Sequence, residues 1–526
     1  MRVHALAAGL LGLAPAALVL RAGDRALGAY SFDQAGHIWT MWHATVEPLT
    51  TTVLLNHPTG LDLMPALGGW ADIVLGASLS AVFSLEVSYN IVIGLYLWLA
   101  GLGGYALART AGVGLGPALV AGWMLQTEPT LLRHAGHGQV EQVGLGLVAL
   151  AIAGAIHCWR TPSWPLAAAT GAAGAAVVYA CWEYAFLLAG AMLVLTPGIV
   201  STGFSRSAVR RWALAAGTTA LLAGPWVAAF LQRTAGVRSG DDDGFNLINA
   251  AQHALPILDW LLHAPHAGPL LLLPLLALPW TARASDRRLW AAVAVGLLVA
   301  AALALGPAPR LAGPPRPDAA PLAWAPFSLV QQVPVLGWYH WPDRVMLLWP
   351  LALAPAVALL IARLARWRRA VGLGLALLVV GRWGMVAHES APEGKFALPA
   401  DPAVRQLADV EGSGAVLDLP VDTSPQSVLR YQMFQTQHGR PLLLHSFPNH
   451  LHYGEAAVLA SPIVRWSRGA VGPAPDVSGL RAAGVGFVTL HKPWMRGPQF
   501  GRARQALKDA LGPPLLESPQ WACWAL

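Results

Sequence analysis

The feature that most constrains this chain is a succession of apolar runs close to the length that crosses a bilayer. A hydrocarbon core is spanned by roughly 20 helical residues, and shorter runs are accommodated where the bilayer thins or neighbours bury their ends. On that measure the sequence predicts about eleven spans: Val3 to Leu20, Tyr89 to Leu107, Val113 to Leu125, Val143 to Ile156, Trp164 to Cys181, Tyr184 to Val200, Trp212 to Leu231, Leu270 to Trp280, Leu289 to Leu305, Val345 to Leu364 and Ala370 to Val386. Apolar residues make up 55% of the chain against 12% charged ones. A polar shell in water does not cover that much apolar surface, so the chain reads as a polytopic membrane protein. The first run, behind Arg2, imitates a secretory signal; with no small-x-small site after it and further spans to follow, it reads as a retained helix.

Arginines set the expected orientation. Pro65 to Phe83 is apolar but broken by Gly68, Gly69, Asp72 and Gly76, which fits an interfacial helix. With that segment outside the span count, Arg109, Arg160, Arg206, Arg210, Arg211, Arg283, Arg287, Arg288, Arg363, Arg366, Arg368 and Arg369 all fall on one side. The positive-inside rule makes that side cytoplasmic. The N-terminus is then cytoplasmic, and the long, acidic and histidine-rich connections lie outside a cell (inner) membrane. The net charge of +7 is thus an orientation signal, and no nucleic-acid patch is expected. Cys158, Cys181 and Cys523 are too few and too scattered for a disulfide framework or a thiolate metal site, and read as packing residues.

After His388 the composition becomes that of a soluble domain. The expected organisation is a transmembrane domain over 1–387 and an extracytoplasmic α/β domain over 388–526. In the latter, Ala415 to Leu419 and Val485 to Leu490 read as buried strands, and Pro425 to Gln437, Glu455 to Trp466 and Gly501 to Leu511 as helices. No phosphate-binding glycine fingerprint or nucleophile elbow stands there.

Four places on the outer side hold residue types that do chemistry. Asp33, a dozen residues beyond the first span, fits a favourable charge in a first helical turn capped by Ser31. It fits equally a general base that takes a proton from a hydroxyl attacking a sugar's anomeric carbon. Glu128, Arg133, His134, His137 and Glu141 cluster at the end of one span. The two histidines at i and i+3 resemble a metal half-site, so a divalent metal is a possible cofactor, although no closed ligand spacing is present. Glu183 is a solvated turn residue or one aimed into the same cavity. Arg344, beside the aromatic run ending in Trp341, is an interfacial anchor or a partner for a lipid phosphate. Asp241, Asp242 and Asp243 read as a solvated turn.

Across these segments the chain resembles the polytopic glycosyltransferases of the GT-C superfamily, in the bacterial branch with a membrane half and a soluble tail. The resemblance lies in an acid followed by Ile38-Trp39-Thr40-Met41-Trp42, then Asn56 to Asp62 and Ser88-Tyr89-Asn90. It continues through Arg133-His134-Ala135-Gly136-His137 and Pro334 to Arg344, and in the tail through Val416-Leu417-Asp418-Leu419-Pro420 and Tyr431 to Pro441. It implies a mostly α, GT-C-type helical bundle and transfer of a sugar from a polyprenyl-phosphate donor to a glycan, lipid or protein acceptor on the outer face. It places the catalytic acid on Asp33 and substrate contacts on His37, Asp62, Glu128, Arg133, His134, His137, Glu183 and Arg344. Many relatives carry a second acid two residues away, where Ser31 stands here. The competing classes are a lipid or saccharide transporter, which needs ionisable residues deep in several spans, and a non-catalytic envelope scaffold.

Overall fold

The computed structural model describes residues 2–64, 69–234, 250–256, 287–310, 321–332, 341–392, 394–421, 425–444, 462–469, 474, 477–495 and 497–526. The chain is mostly α-helical and divides into two compact units. One comprises Met1–Arg21, Gly68–Asp72 and Asn90–Glu393; the other comprises Ala22–Leu67, Ile73–Tyr89 and Gly394–Leu526.

The first unit is the membrane bundle of a multi-pass protein. Among the described residues, 8 helices are long and apolar enough to cross a bilayer: Arg2–Ala22, Leu85–Thr110, Val140–Arg160, Trp182–Val200, Arg206–Arg233, Arg287–Ala304, Pro342–Trp367 and Arg369–Ser390. Two expected spans form shorter helices, Leu115–Gln126 and Trp164–Ala180. Gly112 and Gly114 delay the start of the first, and Pro129 follows closely on its end. Leu270 to Trp280, like Asp241 to Asp243, lies outside the described residues. The segment expected to be interfacial contains a 10-residue helix, Ala71–Ser80, most of which belongs to the second unit.

Small residues let these helices approach backbone to backbone. A Cβ built on Gly146 would stand 2.2 Å from Ala100 N, and one on Gly103 2.7 Å from Gly146 O. Leu85–Thr110 and Leu145–Arg160 therefore cross with no side chain between them at that point. Farther along the bundle, Gly171 and Gly174 receive Thr218 and Thr219 of Arg206–Thr234 in the same way.

The second unit is built on a four-stranded sheet. Ala415–Leu419 runs parallel to Val485–His491, which pairs antiparallel with Trp521–Ala525, itself paired with Leu516–Glu517. The two expected strands and the helices Pro425–His438 and Gly497–Leu511 are present. The helix expected over Glu455 to Trp466 is described only as Pro462–Gly469. Buried Leu417, Leu419, Val488, Leu490 and Trp524 form the core between sheet and helices.

The segment after the first span is integral to this unit. Ala26–Leu27 pairs antiparallel with Lys395–Phe396. Buried Trp39, on helix Phe32–Val46, donates its Nε1–H to Gln435 Oε1 at 2.8 Å. Gln435 in turn donates to Leu54 O at 2.7 Å, and Leu442 N donates to the same carbonyl at 2.7 Å.

The tail motifs converge on one buried network. Asp418 Oδ1 accepts from Thr489 Oγ1 at 2.6 Å and from His491 Nε2 at 2.7 Å, and Tyr431 donates its hydroxyl to Pro420 O at 2.5 Å. Rings of Tyr431, Phe434, Trp494 and Trp521 enclose His491. The three cysteines are free and buried, and burial pushes the Cys523 thiol up to about 12.

His438 gives this unit a pH dependence. The side chain is buried, accepts the Arg440 N–H on Nδ1 at 3.0 Å, and is driven down to about 4, chiefly by burial. The unfolded chain takes up this proton near pH 6.5. Stability is therefore complete above pH 6.5 and declines as the pH falls from there towards 4, because only the unfolded state binds the proton. The expected loss is on the order of 3 kcal/mol across that window. Thermal unfolding of the full chain in detergent at pH 7.5 and pH 5 measures it. His438→Gln, which keeps an acceptor for Arg440, should reduce the difference, leaving the part that the similarly shifted His134 contributes; an undiminished difference would assign it to another group.

Candidate functional site

The first unit assembles a polar constellation where two of its helices begin. Glu183 lies in the first turn of Trp182–Val200, where the helix dipole favours a carboxylate. Arg344 lies in the 3₁₀ turn Pro342–Leu347, which leads into Leu348–Trp367. Arg344 NH1 donates to Glu183 Oε2 at 2.5 Å, and both side chains are nearly buried. The guanidinium also lies over the Trp341 ring, 4.3 Å from its centroid. An ion pair so withdrawn from water is costly to break from one side, since the remaining charge stays buried.

Gln142 completes the hold on the carboxylate. Its Nε2 donates to the same Glu183 Oε2 at 3.0 Å, and its main-chain carbonyl accepts the Tyr184 hydroxyl. On the neighbouring helix Pro129–His137, His134 Nδ1 donates to Gln139 Oε1 at 2.5 Å. Burial, reinforced by Arg344, drives the His134 imidazole down to about 4, so it is neutral near pH 7 and keeps Nε2 as an acceptor. Asp343 stands beside this group, 3.7 Å from His253 Nδ1, with the His253 ring edge-on to Trp341.

An apolar cavity of about 680 Å³ adjoins the ion pair. Phe186 lines it one turn after Glu183, and Val345 lines it directly after Arg344. Ile152, Leu193, Leu297 and Leu348 extend the wall, and the polar lining includes Thr110 and Arg160.

The other expected site residues divide between the units. Glu128 is buried and caps helix Pro129–His137, accepting Leu131 N–H at 2.8 Å. Arg133 and His137 are exposed on that helix. Among the described residues no group of three or more His, Cys, Asp or Glu side chains is placed to hold a metal. In the second unit, Asp33 is half-buried in the first turn of Phe32–Val46, where Ser31 Oγ accepts Gln34 N–H at 3.2 Å. His37 is half-buried one turn further on, and Asp62 Oδ1 accepts Met64 N–H at 3.0 Å. The sequence reading missed Gln142 and named Gln139 only as part of the histidine cluster. A signal for Gln142 existed, since an amide directly before the apolar run from Val143 must find a partner once buried.

No family model and no curated protein matches the sequence. Solved structures do match the fold. The arabinofuranosyltransferase AftD from Mycobacteria aligns with a TM-score of 0.60 at 15% identity, over 98% of this chain and 41% of its own. The oligosaccharyltransferase AglB from Archaeoglobus fulgidus, solved with an inhibitory peptide and a dolichol-phosphate, aligns at 0.50 and 13% identity, over 93% of this chain and 69% of its own. This chain thus spans about two fifths of the AftD length. At such identities the likeness concerns the fold, which is GT-C-like.

Proposed function

From this fold we propose a membrane glycosyltransferase that moves a sugar from a polyprenyl-phosphate-linked donor to a glycan, lipid or protein acceptor outside the cell membrane. The observation that carries the reading is Arg344: a nearly buried guanidinium that spends one donor on Glu183, next in the chain to Val345, which lines an apolar cavity. A planar fork with donors to spare is suited to a phosphate, and the cavity beside it is suited to the first part of a lipid tail. That AglB was solved with a dolichol-phosphate supports the same class of ligand.

In the proposed reaction the acceptor hydroxyl attacks the anomeric carbon and passes its proton to Asp33. The bond from that carbon to the phosphate oxygen breaks, and the lipid phosphate leaves with the electron pair, inverting the anomeric centre. Neutral His134 offers an acceptor to a donor hydroxyl. The N-terminus lies in the cytoplasm in this reading, and the unit bearing the sheet lies outside.

The test is transfer itself. Membranes containing the full chain, given a panel of radiolabelled sugars on undecaprenyl phosphate, should move label from the lipid to a non-extractable or newly migrating product. Label that stays on every donor, with the protein folded and in the membrane, would refute the assignment.

A further inference from the structure

Arg344 has a resident anion. Its guanidinium donates to Glu183 Oε2 and makes no other hydrogen bond among the described residues, while Gln142 fixes that same oxygen. Glu183 is 4% exposed, so its carboxylate does not swing freely into water. A substrate phosphate therefore reaches an arginine whose charge is already compensated, and the two anions face one another across it. We propose that Glu183, positioned by Gln142, is a release residue: it weakens the grip of Arg344 on the lipid phosphate and takes over its charge when the spent carrier departs.

The physical basis is the cost of leaving a buried charge alone. Without Glu183, departure of the phosphate would leave the guanidinium in a nearly dry site with no ion-pair partner in contact, offset only by the charges of Glu141 and Asp343. With it, Arg344 is compensated before and after each turnover, so binding and release differ little in energy. Glu183 touches Arg344 and not the reacting atoms, which makes it a positioning residue with an electrostatic effect on the carrier.

This inference rests on Arg344 as the phosphate anchor, and the experiment separates the two claims. Equilibrium binding of undecaprenyl phosphate, with uncharged undecaprenol as control, is measured on the full chain in nanodiscs for wild type, Glu183→Gln and Arg344→Met. The isosteric Glu183→Gln keeps an acceptor for Arg344 while removing the competing charge. It should bind undecaprenyl phosphate about tenfold more tightly, bind undecaprenol unchanged, and lower kcat and KM together as carrier release slows. Should that variant fail to fold, Glu183→Ser leaves room for a water in place of the carboxylate and has the same expected direction. Unchanged or weaker binding of undecaprenyl phosphate by a folded Glu183 variant overturns the release role and leaves the anchor standing. Wild-type affinity in Arg344→Met overturns both.

Discussion

Asp33→Asn is expected to leave the protein folded in the membrane and to cut sugar transfer by about 10²–10⁴-fold, the usual worth of a positioned general base. The part of its structural cost that comes from the helix start is small. Asp33 occupies the first turn of Phe32–Val46 and helps that helix through the dipole, an effect of about 0.3–1 kcal/mol at a partly exposed position. The cap belongs to Ser31, which keeps its bond from Gln34 N–H in the variant. The helix is also anchored by Trp39 on Gln435, well away from the substitution. A mere helix-start role and a catalytic role thus predict outcomes far apart. Turnover and thermal unfolding measured on the same preparation distinguish them, and undiminished turnover would return Asp33 to the helix.

The second large effect is expected at Arg344. Arg344→Met removes the phosphate donors and strands Glu183 as a buried carboxylate held by Gln142 alone. The KM for a polyprenyl-phosphate donor should rise about 100-fold, in line with truncating a buried charge pair. Stability should fall by about 3–5 kcal/mol for the abandoned charge. These two losses are separable. Arg344→Met combined with Glu183→Leu replaces the pair with apolar side chains, so stability should recover while donor affinity does not. Donor affinity that recovers with stability would show that Arg344 serves only the fold. A plain interfacial anchor, by contrast, would lose neither quantity by such amounts.

The residues that were legible in the sequence are those whose signal is local. A run such as Leu85–Thr110 declares itself through unbroken hydropathy, and Ala415–Leu419 through a short apolar stretch bounded by glycine and proline. Glu183 and Arg344 were noticed as ionisable groups at the ends of spans, although nothing in either neighbourhood says that they meet. Their pairing joins residues 161 positions apart. Gln142 was passed over because it falls just before the span expected from Val143, among the residues of an outer connection, and the demand of its amide appears only when its burial is known. The strand Trp521–Ala525 escaped because it lacks a polar alternation, being buried on both faces over most of its length. The tail motifs around Asp418 and Tyr431 stood out by resemblance, yet their shared network depends on His491 from another strand.

The bond from Trp39 to Gln435 bridges 396 residues. At ribosomal rates of about 5–20 residues per second, the partner of Trp39 is made roughly 20 to 80 seconds after it. Throughout that interval helix Phe32–Val46 and its flanking strand have been synthesised without the surface that completes them. The second unit is therefore closed by Gly394–Leu526, and its folding is timed by the synthesis of that stretch and not by the insertion of the first helix. A nascent chain stalled within the membrane bundle would already contain Asp33, but not the packing that holds its helix in place.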